Sequence, residues 1–176
     1  MRGTALAAAL LVAATPSKSD VQQERRRGDE LSFALPGATL AVELLRGDGR
    51  GAWQMLQTFA LTTGSTELIK RATNVERPDG SDRLSFPSGH AARAFAAAAY
   101  VHRRHGVAAA WPLIGLAAYV GHTRVISDRH RWADVAGAAA LSYGFAWAVV
   151  TPTAPQAMVR TDGQGGWQLT VAVPLK

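Results

Sequence analysis

The sequence predicts an all-α protein, a single-domain helical bundle closed by a short C-terminal β-hairpin. Three observations predict it. Apolar stretches of helical length recur between Pro, Gly and polar punctuation. No strand-like alternation interleaves with them, so helix-on-helix packing is the coherent layout. At 176 residues, with 48% hydrophobic and 18% charged residues, the chain suits one domain with its own core and is not a disordered one.

In chain order, residues 1–14 carry Arg2, a ten-residue apolar run and a small-residue exit, the pattern of a secretory signal. Residues 15–30 are polar, with Arg25, Arg26 and Arg27 in a row, and read as an exposed basic arm. The bundle is expected over residues 31–155. Its first segment is broken at Pro36-Gly37, which places a short helix from about Ala38. A Gly-rich turn at 47–51 precedes a helix over about 52–71, with Trp53, Leu56, Ala60 and Leu68 near one face. Residues 73–87 hold Pro78, Gly80 and Pro87 and form a loop, long enough to suggest a task. Helices are expected over 90–104, with Gly106 as cap, over 107–120, and over 132–150. In residues 156–176, Trp167, Leu169, Val171 and Val173 alternate with polar or small residues after a Gly-rich turn. Residues 157–161 supply the partner strand, and so small a hairpin is expected to pack on the bundle.

The formal charge of +6 and pI near 10.5 favour anionic partners. Nucleic acid is set aside, because no recognition motif or aromatic platform accompanies the charge. No Cys is present, so disulfides and thiolate metal sites are excluded. Residues 106–121 and 135–159 carry no Asp, Glu, Lys or Arg, but the first is short and the second is cut by Pro152 and Pro155. The expectation is an exported protein, periplasmic or otherwise extracytoplasmic, soluble or peripheral rather than integral, with membrane-surface contact open to it.

Three clusters carry chemistry. Ser88, Gly89 and His90 open a helix, where unpaired N–H groups make an anion site. His130 and Asp134 are spaced i, i+4, so a carboxylate can orient an imidazole and free its other nitrogen as nucleophile or base; a surface ion pair is the plainer reading. Lys70, Arg77 and Arg124 are cations suited to phosphate oxygens, Arg in forked fashion. One His and one Asp are too few to specify a metal. His102 and His105 sit at a helix end where positive charge is favourable, and His122 lies two residues from Arg124.

In this order and spacing the clusters resemble the type-2 phosphatidic acid phosphatase superfamily, which shares its fold with vanadium-dependent haloperoxidases. Lys70 with Arg77-Pro78 resembles the first motif, Pro87-Ser88-Gly89-His90 the second, and Arg124, His130 and Asp134 the third. Thr123 stands where the family usually has Ser before the Arg, and the hydroxyl is retained. The resemblance implies a phosphohistidine on His130 oriented by Asp134, with His90 as acid and then base. It implies that Lys70, Arg77, Ser88, Gly89 and Arg124 hold the phosphoryl oxygens without metal or other cofactor. The substrate would be a soluble phosphate monoester or a lipid (di)phosphate. It also implies two histidines whose pKa values are pushed apart, and a bell-shaped pH profile on the acid-to-neutral side. Two alternatives accompany this reading: a vanadate-dependent haloperoxidase, and a non-catalytic binder of phosphorylated lipid or polyanion.

Overall fold

The structure, a computed structural model, describes residues 17–153, 156–161 and 166–172. The expected signal at residues 1–14 lies outside them. The elements are α1 (Lys18–Leu45), α2 (Gly49–Thr73), α3 (Gly89–His105), α4 (Val107–Ile126), α5 (Trp132–Val149), β1 (Gln156–Thr161) and β2 (Trp167–Ala172). The helices are organised around α3. It packs on each of the other four, which close a ring in the order α1, α2, α5, α4. A helix with neighbours on every side needs small side chains so that the backbones can approach. Accordingly, Ala91, Ala92, Ala94, Ala97 and Ala98 of α3 are fully buried. The outer contacts use the same device. A Cβ on Gly121 of α4 would lie 2.5 Å from Val135 Cγ1 of α5, and one on Gly28 of α1 would lie 2.1 Å from Thr123 Oγ1 of α4.

The last four helices fall close to their predicted places. Ser88 caps α3, its hydroxyl accepting from the Ala91 amide, and Gly106 ends α3 at φ 87. Helix α4 runs on to Ile126, beyond the predicted 120, and so carries Arg124 on its last turn. On α2 the expected face is present but points outward: Trp53, Leu56 and Leu68 are exposed, while Gln54, Thr58, Thr62, Thr66 and Lys70 are buried.

The first helix corrects the sequence reading twice. Residues 17–30 are no free arm, and the helix does not wait for Ala38. A capping box between Ser17 and Asp20 starts α1, and the helix passes through Pro36 without ending. Proline forfeits one helical hydrogen bond. Packing on α2, α3 and α4 along the length of α1 outweighs that loss. At the other terminus β1 and β2 pair antiparallel from Gln156↔Ala172 to Thr161↔Trp167, as expected. The side chains of residues 156–160 and 167–172, and with them the expected packing of the hairpin on the bundle, lie outside what the structure describes.

The topology gathers four helix ends on one side. Helices α2 and α4 finish there, and α3 and α5 begin there. The loop over residues 74–88 is held across this end. Its Arg77 amide donates to the Asp82 carbonyl (3.0 Å), Ser85 N to Val75 O (2.9 Å), and Asp79 N to Asp128 O of the α4–α5 connection (3.1 Å).

Candidate active site

All eight residues singled out in the sequence converge on this end. A cavity of about 160 Å3 is lined by Lys70, Arg77, Gly89, His90, Arg124 and His130, together with Arg25, Glu67, Arg93 and Arg129. That is many times the ~10–15 Å3 one water needs. Ser88 and Asp134 stand behind the wall, buried. The Ser88 amide donates to the Asp134 carbonyl (3.0 Å), which ties the start of α3 to the start of α5. The Gly89 and His90 amides belong to the first turn of α3 and have no helical acceptor, so they offer donors to an anion.

His130 is 3% exposed. Its Nε2 lies 2.9 Å from Arg77 Nη1. A guanidinium can only donate, so Nε2 carries the lone pair and the proton sits on Nδ1. That Nδ1 has no well-aligned hydrogen-bond partner, and 3.4 Å away is Asp134 Oδ2. The carboxylate is itself fixed by the Ser85 hydroxyl (2.6 Å) and the Arg131 amide (2.8 Å). The ring is thus presented with its acceptor nitrogen toward the cavity and its donor nitrogen toward a clamped carboxylate.

The cations are held as firmly. Lys70 Nζ donates to the Leu84 carbonyl (2.9 Å), and its pKa is lowered by burial and then by Arg77. Arg77 donates through Nε to Asp82 (2.8 Å) and through Nη1 to the Arg129 carbonyl (3.0 Å). Arg124 is 2% exposed and is secured by α1: Nη1 donates to Asp29 Oδ1 (2.7 Å) and Nη2 to the Arg25 carbonyl.

His90 Nε2 lies 2.8 Å from the same Asp29 oxygen. Asp29 therefore bridges the second histidine and the third-motif arginine. Sequence reasoning passed over it, because it sat in a stretch taken for an exposed arm. The signal that could have found it is Ser17 followed three residues later by Asp20, the mark of a helix starting well before residue 38. Ser85 was also passed over. His122 does not reach the cavity; it is exposed and stacks on Trp132.

Both imidazoles are pushed below the ordinary His value. For His90 the causes are burial and then Arg93 and Arg124, partly opposed by Asp29. For His130 they are burial and then Arg77 and Lys70, opposed by Asp134. The expectation that their environments drive the two apart is not met here. So many cations share the cavity that both rings are driven the same way. Among the described residues no group of His, Cys, Asp or Glu could hold a metal ion.

Residues 51–156 match the PAP2 superfamily. The chain belongs to that superfamily. The match contains all eight residues read from the sequence but neither Arg25 nor Asp29 of α1. The PAP2 chain is 33% identical over 132 residues to the lipid A 4'-phosphatase of Helicobacter pylori strain J99, covering 68% of this chain and 66% of that protein. It is 35% identical over 86 residues to the lipid A 1-phosphatase of Porphyromonas gingivalis, covering 47% of this chain and 19% of that protein. The PAP2 chain thus spans just under two thirds of the first relative and about a fifth of the second. No solved structure gives a significant match.

Proposed function

We propose that this PAP2 protein is a phosphatase that hydrolyses lipid phosphates through a phosphohistidine on His130. The observation that carries the reading is the orientation of His130, acceptor nitrogen toward a cation-lined cavity and donor nitrogen toward Asp134. A binder of phosphate would need the cations but not this pairing. The lipid class is supported by the two relatives, both named for phosphatases of lipid A.

In the first step Nε2 of His130 attacks phosphorus as the bond to the leaving oxygen breaks. Arg77 shifts its donor from Nε2 to a phosphoryl oxygen, and Asp134 takes up the positive charge forming on the ring. Lys70, Arg124 and the first amides of α3 hold the other oxygens. His90 gives its proton to the leaving oxygen. In the second step it takes one from water, which attacks the phosphohistidine and frees His130 and inorganic phosphate. The lowered pKa of His130 keeps it neutral and nucleophilic at moderate acidity. His90 must enter protonated. Asp29 favours that form, and the charge of an arriving phosphate adds to it.

The test is hydrolysis of a chromogenic phosphomonoester and of a lipid phosphate in EDTA, with wild type beside His130→Ala. Turnover that survives chelation, is blocked by vanadate and falls to background in the variant is expected. Full activity in His130→Ala would remove His130 as the nucleophile. A preference for the soluble ester would remove the lipid assignment.

A further inference from the structure

We propose that Arg25 and Arg93 form a second anion subsite, beside the one that holds the reacting phosphoryl group, and that it recognises a negatively charged group on the leaving part of the substrate. The uneven pairing of charges around the cavity points to it. On the side of His130 each arginine has a carboxylate of its own: Arg77 meets Asp82 at 2.8 Å and Arg129 meets Asp79 at 2.9 Å. On the side of His90 stand Arg25, Arg93 and Arg124. The carboxylate among them, Asp29, is taken up by Arg124 and His90 at 2.7 and 2.8 Å. Among the described residues, Arg25 and Arg93 make no ion pair. Residues 1–16 contain no Asp or Glu that could supply one. A phosphate monoester brings a charge of about −2 at most, which Lys70, Arg77 and Arg124 already match. Arg25 and Arg93 are cations beyond that need.

Both are placed for a ligand. Arg93 lies one turn along α3 from His90 and shares its face. Its Nε and Nη2 reach the Ser32 hydroxyl, each at 3.4 Å, and its guanidinium lies 4.3 Å from the centroid of the Phe33 ring. These contacts orient the group on α1 and leave Nη1 without a partner among the described residues. The pKa of Arg93 is lowered by burial, and Asp29 and Glu67 oppose that from a distance without bonding it. An oriented fork with no carboxylate of its own suits an arriving carboxylate or phosphate. Arg25 lies one turn before Asp29 on α1, on the same face. Its like charge adds to the burial that lowers the pKa of Arg124. Such repulsion is relieved by an anion bound at the cavity.

Which part of the substrate meets this pair rests on the phosphatase reading above. His90 gives its proton to the leaving oxygen, so the leaving part departs on the side of His90, Asp29 and Arg25. Arg25 lines both the cavity and a groove of about 340 Å3 between α1 and the α4–α5 connection, where Lys18, Gln22, Ser127 and Asp128 offer polar groups. The ligand class is therefore a phosphate ester whose leaving group is polar and carries a second anion, carboxylate or phosphate, close to the scissile oxygen. Helix α1 lies outside the matched residues 51–156, so Arg25 adds to the family motifs a reader that they do not contain.

Binding is measured first, independently of turnover. The full chain is titrated in a calorimeter with 3-carboxybenzylphosphonate and with 3-carbamoylbenzylphosphonate, which match in size and differ by one charge. The carboxylate should bind roughly ten-fold more tightly, the scale of one hydrogen bond to a charged group. Arg25→Gln and Arg93→Gln should each bring the two affinities together, while Arg26→Gln, exposed and away from the cavity, should keep them apart. Arg25→Gln retains the backbone carbonyl that accepts from Arg124. Values of kcat/KM follow for 3-carboxyphenyl against 3-carbamoylphenyl phosphate, and for diacylglycerol diphosphate against phosphatidic acid. Preference for the charged member of the lipid pair alone assigns the second anion to a lipid headgroup, and preference within the phenyl pair alone assigns it to a soluble ester. Either preference should shrink in both variants. Charge-dependent phosphonate binding with no turnover would overturn the phosphatase reading and keep the subsite. Equal phosphonate affinities in wild type, or a difference that survives both substitutions, would overturn the subsite and leave the phosphatase reading standing.

Discussion

Asp29 is the residue through which the first helix enters the chemistry. One carboxylate oxygen serves both Arg124 and His90, at 2.7 and 2.8 Å. Its negative charge is among the influences that raise the His90 pKa against burial and two arginines. Asp29→Asn keeps the size and removes the charge. His90 then holds its proton only at lower pH, so the alkaline limb of the kcat profile should move toward acid. At neutral pH kcat should fall by roughly 10- to 100-fold, within the range a general acid contributes. A lower kcat with an unmoved limb would reduce Asp29 to a brace for Arg124. The eight motif residues were legible in the sequence because short spacing sets them: helix starts, a helix end and an i, i+4 pair. Asp29 was not, since its partner Arg124 lies 95 positions away and only the tertiary fold joins them.

At the scale of elements, α2 to α5 could be read because Pro, Gly and turn residues punctuate them. Helix α1 could not. Its Pro36-Gly37 pair argues locally against helix, and long-range packing prevails. That packing rests on Gly28, where any Cβ would strike Thr123 Oγ1 at 2.1 Å and Arg124 Nη2 at 2.7 Å. Gly28→Ala should push α1 off α4, destabilise the fold by about 1–3 kcal/mol as overpacking does, and lower activity by displacing Asp29. Gly37→Ala on the same helix is the control. It meets nothing within 4 Å, so a gain of roughly 0.5–1 kcal/mol in denaturant melts is expected from removing a helical glycine. Equal effects of the two changes would mean that α1 is not tightly seated on α4. The orientation of α2 was equally hidden. Periodicity marks an apolar face but not the direction in which that face points.

The whole molecule bears the cost of keeping two imidazoles uncharged among cations. Burial with Arg93 and Arg124 lowers His90, and burial with Arg77 and Lys70 lowers His130. In the unfolded chain both bind protons near pH 6.5. Between that value and the lower folded ones, the unfolded state holds more protons, so stability rises with pH. It is therefore complete above about pH 7 and is lost as pH falls below about 6.5. Asp48, Asp79 and Asp82 are held low in the fold, chiefly by the hydrogen bonds they accept, and add a second loss. That loss begins only near the ordinary carboxylate value of about 4. The interval from about pH 6.5 to 4.5 consequently isolates the histidines. Across it the wild-type Tm should fall, by roughly 2–4 °C for each ~1 kcal/mol lost. A double variant, His90→Gln with His130→Gln, should hold its Tm nearly level there and decline only at lower pH. A wild-type Tm level through the same interval would mean that the two rings accept protons freely in the folded state. The neutral nucleophile on which the proposed reaction depends would then be in short supply under mildly acidic conditions.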